Sequence, residues 1–141
     1  SIREQRTRMG VALVEHDSKG IAMLRREFKR GHVVTLCPDQ QPRLRTGEFI
    51  PFFGVPALTA TVLAELLQEH APQLVFGISI REGHRFRIHF HPLRYEHTKD
   101  VSTLLRQITC QLECIITPHI EQYRWADKRL NIRPAGQRKL Y

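Results

Sequence analysis

Cysteine is scarce. The three present are an odd number with no C-x-x-C spacing, which excludes a disulfide framework and a cysteine zinc site and suits a reducing compartment. Long apolar runs are missing too: none approaches the roughly 18 residues that a membrane span needs. No signal peptide is visible, since the chain opens Ser1-Ile2-Arg3-Glu4-Gln5-Arg6. It also opens without Met and in mid-pattern, so a truncated or cleaved product is expected, with a membrane anchor upstream. Repeats, low-complexity tracts and linkers are absent. Acidic residues are in deficit, 14 against 22 Lys and Arg, giving a net charge of +8 over 141 residues. That balance favours an anionic partner: a phospholipid surface, a phosphorylated ligand, an acidic carrier protein or nucleic acid. No nucleic-acid motif accompanies the charge, so nucleic acid is not expected as a partner. Apolar residues at 41% are enough for a core and exclude a disordered tail.

Residues 1–10 have no clear period. Ser18-Lys19-Gly20 opens a helix with Ile21, Leu24 and Phe28 on one side, and Gly31 stops it. Val33 to Cys37 reads as a buried strand ended by Pro38, and 38–57 as a long loop. Leu58 to His70 reads as a helix and Leu74 to Ile80 as a second buried strand. Arg81-Glu82-Gly83-His84 then turns into an alternating strand, with Phe86, Ile88 and Phe90 on one face and Arg87, His89 and His91 on the other. Asp100 or Ser102 caps a helix to about Ile116, and Pro118 starts a short one. Cys110 and Cys114 share a face of that longer helix and read as small core residues. The order of elements argues for an α/β domain with a mixed, mostly parallel sheet flanked by helices and one antiparallel pair near residue 83.

In such sheets ligands bind beyond the carboxyl ends of the strands. Asp39 and Arg81 occupy two of those exits, either as a structural ion pair or facing a ligand. The loop between residues 38 and 57 holds Phe49, Phe52 and Phe53 beside Arg43 and Arg45. Those residues either tuck the loop onto the core or form an acyl-chain groove with phosphate ligands. His84, His89 and His91 lie close together but lack local carboxylates, so a solvated face is expected rather than a metal site, and no cofactor is implied. Trp125, among basic residues, is either an interfacial anchor or a cap on the core.

Pro38-Asp39-Gln40, followed by Gly47-Glu48-Phe49-Ile50-Pro51-Phe52-Phe53-Gly54-Val55-Pro56-Ala57-Leu58-Thr59, resembles the central block of the lauroyl and myristoyl acyltransferases of lipid A assembly. Upstream, Arg8 and the Lys29-Arg30-Gly31-His32-Val33-Val34 stretch are similar to further blocks of that family. Downstream, Thr117-Pro118, Gln122-Tyr123, Trp125 and Arg133-Pro134 are similar to its ending. The resemblance covers nearly the whole chain in order. Its ending departs from the pattern at Asp127 and Asn131, where the family carries His and Lys, and this leaves Arg129 and Arg133 as basic anchors.

The resemblance implies a glycerol-phosphate-acyltransferase-like fold, incomplete at the N-terminus, with 1–141 the C-terminal part of a single acyltransferase domain. It implies transfer of a fatty acyl group from acyl-carrier protein to a hydroxyl of a phosphoglycolipid, at the cytoplasmic face of a bacterial inner membrane with an anionic surface. The family's general base is the His of a His-x4-Asp or His-x4-Glu dyad. Of the eight histidines only His91 has a carboxylate five positions on, Glu96. That pair lies downstream of Pro38-Asp39-Gln40 instead of upstream, so the spacing is read as chance and the base is expected before Ser1. By resemblance Arg8 helps bind phosphate or thioester, Asp39 positions the machinery, and Arg81 joins them. The isolated chain is then expected to be inactive. Another glycolipid acceptor, of the phosphatidylinositol mannoside type, and a non-catalytic lipid- or carrier-binding module remain as alternatives.

Overall fold

The computed structural model describes residues 2–15, 17–42 and 46–141. They divide into two compact units, Ser1–Leu36 and Cys37–Tyr141. In the first, the arginine-rich opening forms helix α1, Ile2–Arg8, and α2 follows as Ser18–Lys29. Asp17 caps α2 by accepting from the Gly20 N–H at 2.8 Å. Around Glu27 gather Arg26, Arg30 and His32, whose Nδ1 is 2.9 Å from the carboxylate. Val33 to Cys37 is not the buried strand expected. It forms no ladder among the described residues, and Val33 is 95% exposed. β-branched residues favour a strand only where a neighbouring strand takes up the backbone groups, and none does so here.

The second unit contains two antiparallel hairpins. Strands β1, Gly47–Phe52, and β2, Val55–Ala60, form the first. It occupies the stretch expected to be a loop. Its prolines misled that expectation, because Pro51 and Pro56 face each other across the ladder. Counting from the two-residue turn, theirs is a non-hydrogen-bonded pair, where neither needs an N–H. The turn, Phe53-Gly54, has φ of 48° and 76°, the mirror-image geometry that fits strand twist. Gly47 is required by closeness: a Cβ there would lie 2.7 Å from the Thr59 carbonyl oxygen.

Helix α3, Val62–His70, starts later than the sequence suggests, since Leu58 belongs to β2. Strands β3, Leu74–Glu82, and β4, Arg85–Leu93, form the expected antiparallel pair. The chain is thus mixed helix and sheet. The mostly parallel arrangement is not what the described strands form; both sheets are two-stranded and antiparallel. A parallel pair needs a crossover between adjacent strands, and each strand here finds its partner across a two-residue turn instead.

Helix α4, Val101–Ile116, is the centre of the unit. Asp100 caps it by accepting from the Thr103 N–H at 2.9 Å. Leu104, Leu105, Ile108, Leu112 and Ile116 pack with Ile50, Phe52 and Ala57 of the first hairpin, Ala64 and Leu67 of α3, and Phe76 and Leu93 of the second hairpin. Cys110 and Cys114 do share a face, but it is the exposed one, opposite this stripe.

Three glutamines fasten the second hairpin and its exit. The side chain of Gln111 takes both backbone groups of Arg94, accepting at 3.3 Å and donating at 2.7 Å. Gln107 does the same to Glu96, at 2.7 and 3.2 Å. Four helical residues rise about 6 Å and two extended residues about 6.6 Å, so the two clasps match in pitch. The third clasp is Gln122, from the 3-10 turn Thr117–Gln122, on Arg81 at 2.8 and 3.2 Å.

Candidate functional site around Asp39 and Arg129

Pro38 and Asp39 form a turn that delivers the Asp39 carboxylate, half-buried, toward Tyr123 and Arg129. Arg129 is only 2% exposed. One terminal nitrogen donates to the Leu58 carbonyl and the other to Thr59 Oγ1 at 2.6 Å. Its guanidinium carbon lies 5.8 Å from the centre of the Phe52 ring. Arg133 repeats the device one step along, with Nη1 donating to the Pro56 carbonyl at 2.8 Å and Nη2 to Gln137 at 2.5 Å. Pro56 and Leu58 are alternate residues of β2, so their carbonyls point to the same side, away from β1. Two arginines from the C-terminal segment therefore cover the edge of β2 that would otherwise be open.

Burial pushes the Tyr123 hydroxyl well above its usual ionisation range, and the Asp39 carboxylate adds to that, against the opposing pull of Arg129. Burial also draws the Arg129 guanidinium down, while Tyr123 and Asp39 resist. The three groups form one electrostatic unit: a carboxylate, a neutral phenol and a buried cation. The Nε atoms of Arg129 and Arg133 are buried without a hydrogen-bond partner among the described residues.

Beside this unit lies a chain of aromatic rings. Phe52 is 5.7 Å from Tyr123 and 4.8 Å from Phe53; Trp125 is 4.8 Å from Tyr123 and 6.5 Å from Phe53. Trp125 is 38% exposed, neither a sealed core cap nor a free side chain, and its indole N–H donates to the Ile120 carbonyl at 3.1 Å. Glu113 of α4 accepts from the Phe53 N–H at 2.8 Å and so fixes the turn of the first hairpin.

The site residues inferred from sequence are distributed as follows. Asp39 has a guanidinium beside it, but that guanidinium belongs to Arg129. Arg81 spends its backbone on Gln122 and lays its side chain over the Phe86 ring at 4.6 Å. An open depression beside it is lined by Ser79, Gly83, Phe86 and Gln122. Arg8 is exposed at the end of α1, in the other compact unit. Arg43 and Arg45 lie outside the described residues. Phe53 is partly exposed, whereas Phe52 is 1% exposed and belongs to the core, because alternation along β1 turns it toward α4. Arg129 and Arg133 each direct one terminal nitrogen at a backbone carbonyl, of Leu58 and Pro56, and the other at a side chain, of Thr59 and Gln137. The His89 and His91 face is not the solvated one: both residues are half-buried and stacked at 6.2 Å. Among the described residues no three His, Cys, Asp or Glu side chains group as metal ligands. Tyr123, Thr59 and Glu113 were not singled out as site residues, although all three lie in stretches that carry the family resemblance.

A buried arginine bonded to the edge of β2, a half-buried carboxylate on the Pro38–Asp39 turn and a chain of aromatic rings place this site in a protein of the mixed helix-and-sheet class. The comparisons with known proteins give that class its family. Residues 1–131 match the model of the bacterial lipid A biosynthesis acyltransferases, and the chain belongs to that family. It is similar to the lipid A biosynthesis myristoyltransferase of Escherichia coli (strain K12), at 26% identity over 125 residues, 86% of this chain and 39% of that protein. It is equally similar to the lipid A biosynthesis acyltransferase 1 of Shigella flexneri, with the same identity and coverage. The chain thus spans about two-fifths of the length of the curated relatives it matches. No helix among the described residues is long and apolar enough to cross a membrane.

Proposed function

We propose that these residues form the C-terminal part of a single acyltransferase domain. It moves a fatty acyl group from acyl-carrier protein to a hydroxyl of a lipid A precursor at the cytoplasmic face of the inner membrane. The observation that carries this reading is the Asp39–Tyr123–Arg129 unit, which sits in the Pro38-Asp39-Gln40 block and the tail block of a chain matched to the family over residues 1–131. A His-x4-Asp or His-x4-Glu pair upstream of that block is not present in the sequence. The proton acceptor is therefore supplied from outside these 141 residues, and this stretch alone does not turn over.

Asp39 acts by position. Its negative charge faces a cation that cannot move, because Arg129 is bonded to two successive residues of β2. A carboxylate so fixed can orient a neighbouring arginine or the dyad that takes the acceptor's proton. Arg8 and Arg81, with Arg43 and Arg45, supply cations for the acceptor phosphates and the acidic carrier. Phe53 offers an accessible ring for the acyl chain. The longer polypeptide carrying these residues, incubated with an acyl-carrier-protein thioester and a lipid A precursor, is expected to yield a product heavier by one acyl group. Absence of transfer under conditions where a lipid A myristoyltransferase is active would reject the assignment.

A further inference from the structure

The second hairpin departs from the usual economy of antiparallel sheets, which bury an apolar face and expose a polar one. Its inner face carries Phe76 and Ile80, 8% and 5% exposed, opposite His91 and Arg87. Its outer face carries the cross-strand pairs Gly77–Phe90, Ser79–Ile88 and Arg81–Phe86. Phe86, Ile88 and Phe90 are 61%, 61% and 71% exposed, and Val75, further along, is 50% exposed. On β4 the polar set therefore lies on the inner face, with His89 and His91 half-buried and Arg87 exposed and paired with Glu82 at 3.0 Å, while the apolar set faces solvent. Small residues on β3 deepen the effect: Phe90 leans over Gly77, where a Cβ would lie 3.3 Å from the ring. Nothing else in the described residues of this compact unit covers the face.

The chemistry around the apolar strip selects its occupant. Arg81 lies on the same face with its guanidinium over Phe86, apolar stem inward and charge outward. Arg85 is at the hairpin tip. Gln122 ties the hairpin to the 3-10 turn Thr117–Gln122, where Ile120 is partly exposed; Arg124, paired with Asp127 at 3.0 Å, and the partly exposed Trp125 follow it in sequence. Aromatic and aliphatic side chains rimmed by arginines are what the boundary between lipid headgroups and acyl chains accepts. A second copy of the chain fits worse, since each carries a formal charge of +8 and would set one arginine-rimmed face against another.

We infer that the outer face of the β3–β4 hairpin is a lipid-contact surface. It seats Phe86, Ile88 and Phe90 in the interfacial layer of an anionic bilayer, with Arg81 at the level of the phosphates. The inference rests on the membrane-surface reading above and assigns that contact to particular side chains.

The test is sedimentation of the 141-residue chain with vesicles of phosphatidylethanolamine and phosphatidylglycerol, beside vesicles of phosphatidylcholine alone. The wild type is expected to bind the anionic vesicles and to weaken in salt. Phe86→Ser, Ile88→Ser and Phe90→Ser together are expected to reduce binding roughly ten- to a hundredfold while circular dichroism is unchanged. A second probe does not depend on that variant folding. Phe90→Trp in a Trp125→Phe background is expected to shift to the blue on anionic vesicles and to be quenched by brominated lipid. If the wild type binds but the serine variant binds equally well, or the reporter is not quenched, the hairpin assignment fails and the membrane reading stands. If the wild type binds neither vesicle, the hairpin assignment fails, and the membrane reading is decided by the acyl-transfer assay on the longer polypeptide. Self-association of the wild type that the serine variant abolishes would also overturn the inference in favour of a second copy.

Discussion

Replacing Arg129 with Ala removes a buried cation that bonds to β2 at two successive residues. Its bonds to the Leu58 carbonyl and Thr59 Oγ1 are charge-assisted, each worth about 1.5–3 kcal/mol. Against that stands the cost of desolvating the guanidinium, which the alanine variant recovers. Leu58 is itself 1% exposed, so its carbonyl cannot turn to water, and the half-buried Asp39 loses its counter-charge. Removing one partner of such a buried arrangement costs about 3–5 kcal/mol, a large share of a domain's total of about 5–15 kcal/mol. Arg133 is the internal control. It makes the same kind of bond to Pro56 but is only half-buried, so Arg133→Ala should cost about 1 kcal/mol. Arg129→Lys keeps the charge but reaches one acceptor instead of two, and falls between. Urea unfolding followed by circular dichroism measures all three. An Arg129→Ala loss no larger than that of Arg133→Ala would show that the cover over the β2 edge is not what holds the tail.

Other outcomes follow from the same geometry. Cys37, Cys110 and Cys114 are all exposed, so each should react with Ellman's reagent in the native protein; reaction only after denaturation would place them in the core. Gln107→Ala and Gln111→Ala should each destabilise by about 1 kcal/mol. The pair should show coupling in a double-mutant cycle, since both clasps hold the same extended segment. Tyr123 stays protonated in the native chain at a pH where the unfolded chain has lost that proton. The stability this contributes is present in full below the ordinary value of 10.0 and falls as pH rises above it, read as a drop in thermal midpoint that Tyr123→Phe lacks. Equal alkaline sensitivity in the two proteins would contradict it.

What the sequence made legible was whatever depends on local period. The residues of α4, its cap at Asp100 and the hairpin turning at Gly83-His84 follow from spacing and turn chemistry alone. What it hid depends on partners distant in the chain. Val33 to Cys37 has strand composition but no neighbouring strand, and composition cannot supply one. The first hairpin was obscured by Pro38 and Pro42 before it and by Pro51 and Pro56 within it, a facing pair that the ladder tolerates only because of register. The cysteine pair was correctly put on one face of α4; the apolar stripe of Leu104, Leu105, Ile108 and Leu112 already occupies the opposite one. For the site, Asp39 stood out at the mouth of a motif, but its cation was sought at Arg8 and Arg81. Arg129 is 90 residues further on, a contact that neither periodicity nor spacing encodes. The family resemblance did point to both blocks, though not to their meeting.

The most direct test of the account is the kinetics of Asp39→Asn in the longer polypeptide. The substitution keeps the shape of the side chain and removes the charge that faces Arg129. The account predicts a fall in kcat/KM for acyl transfer of about a hundredfold or more, read at a temperature where circular dichroism shows the variant folded. Transfer at the wild-type rate would contradict it.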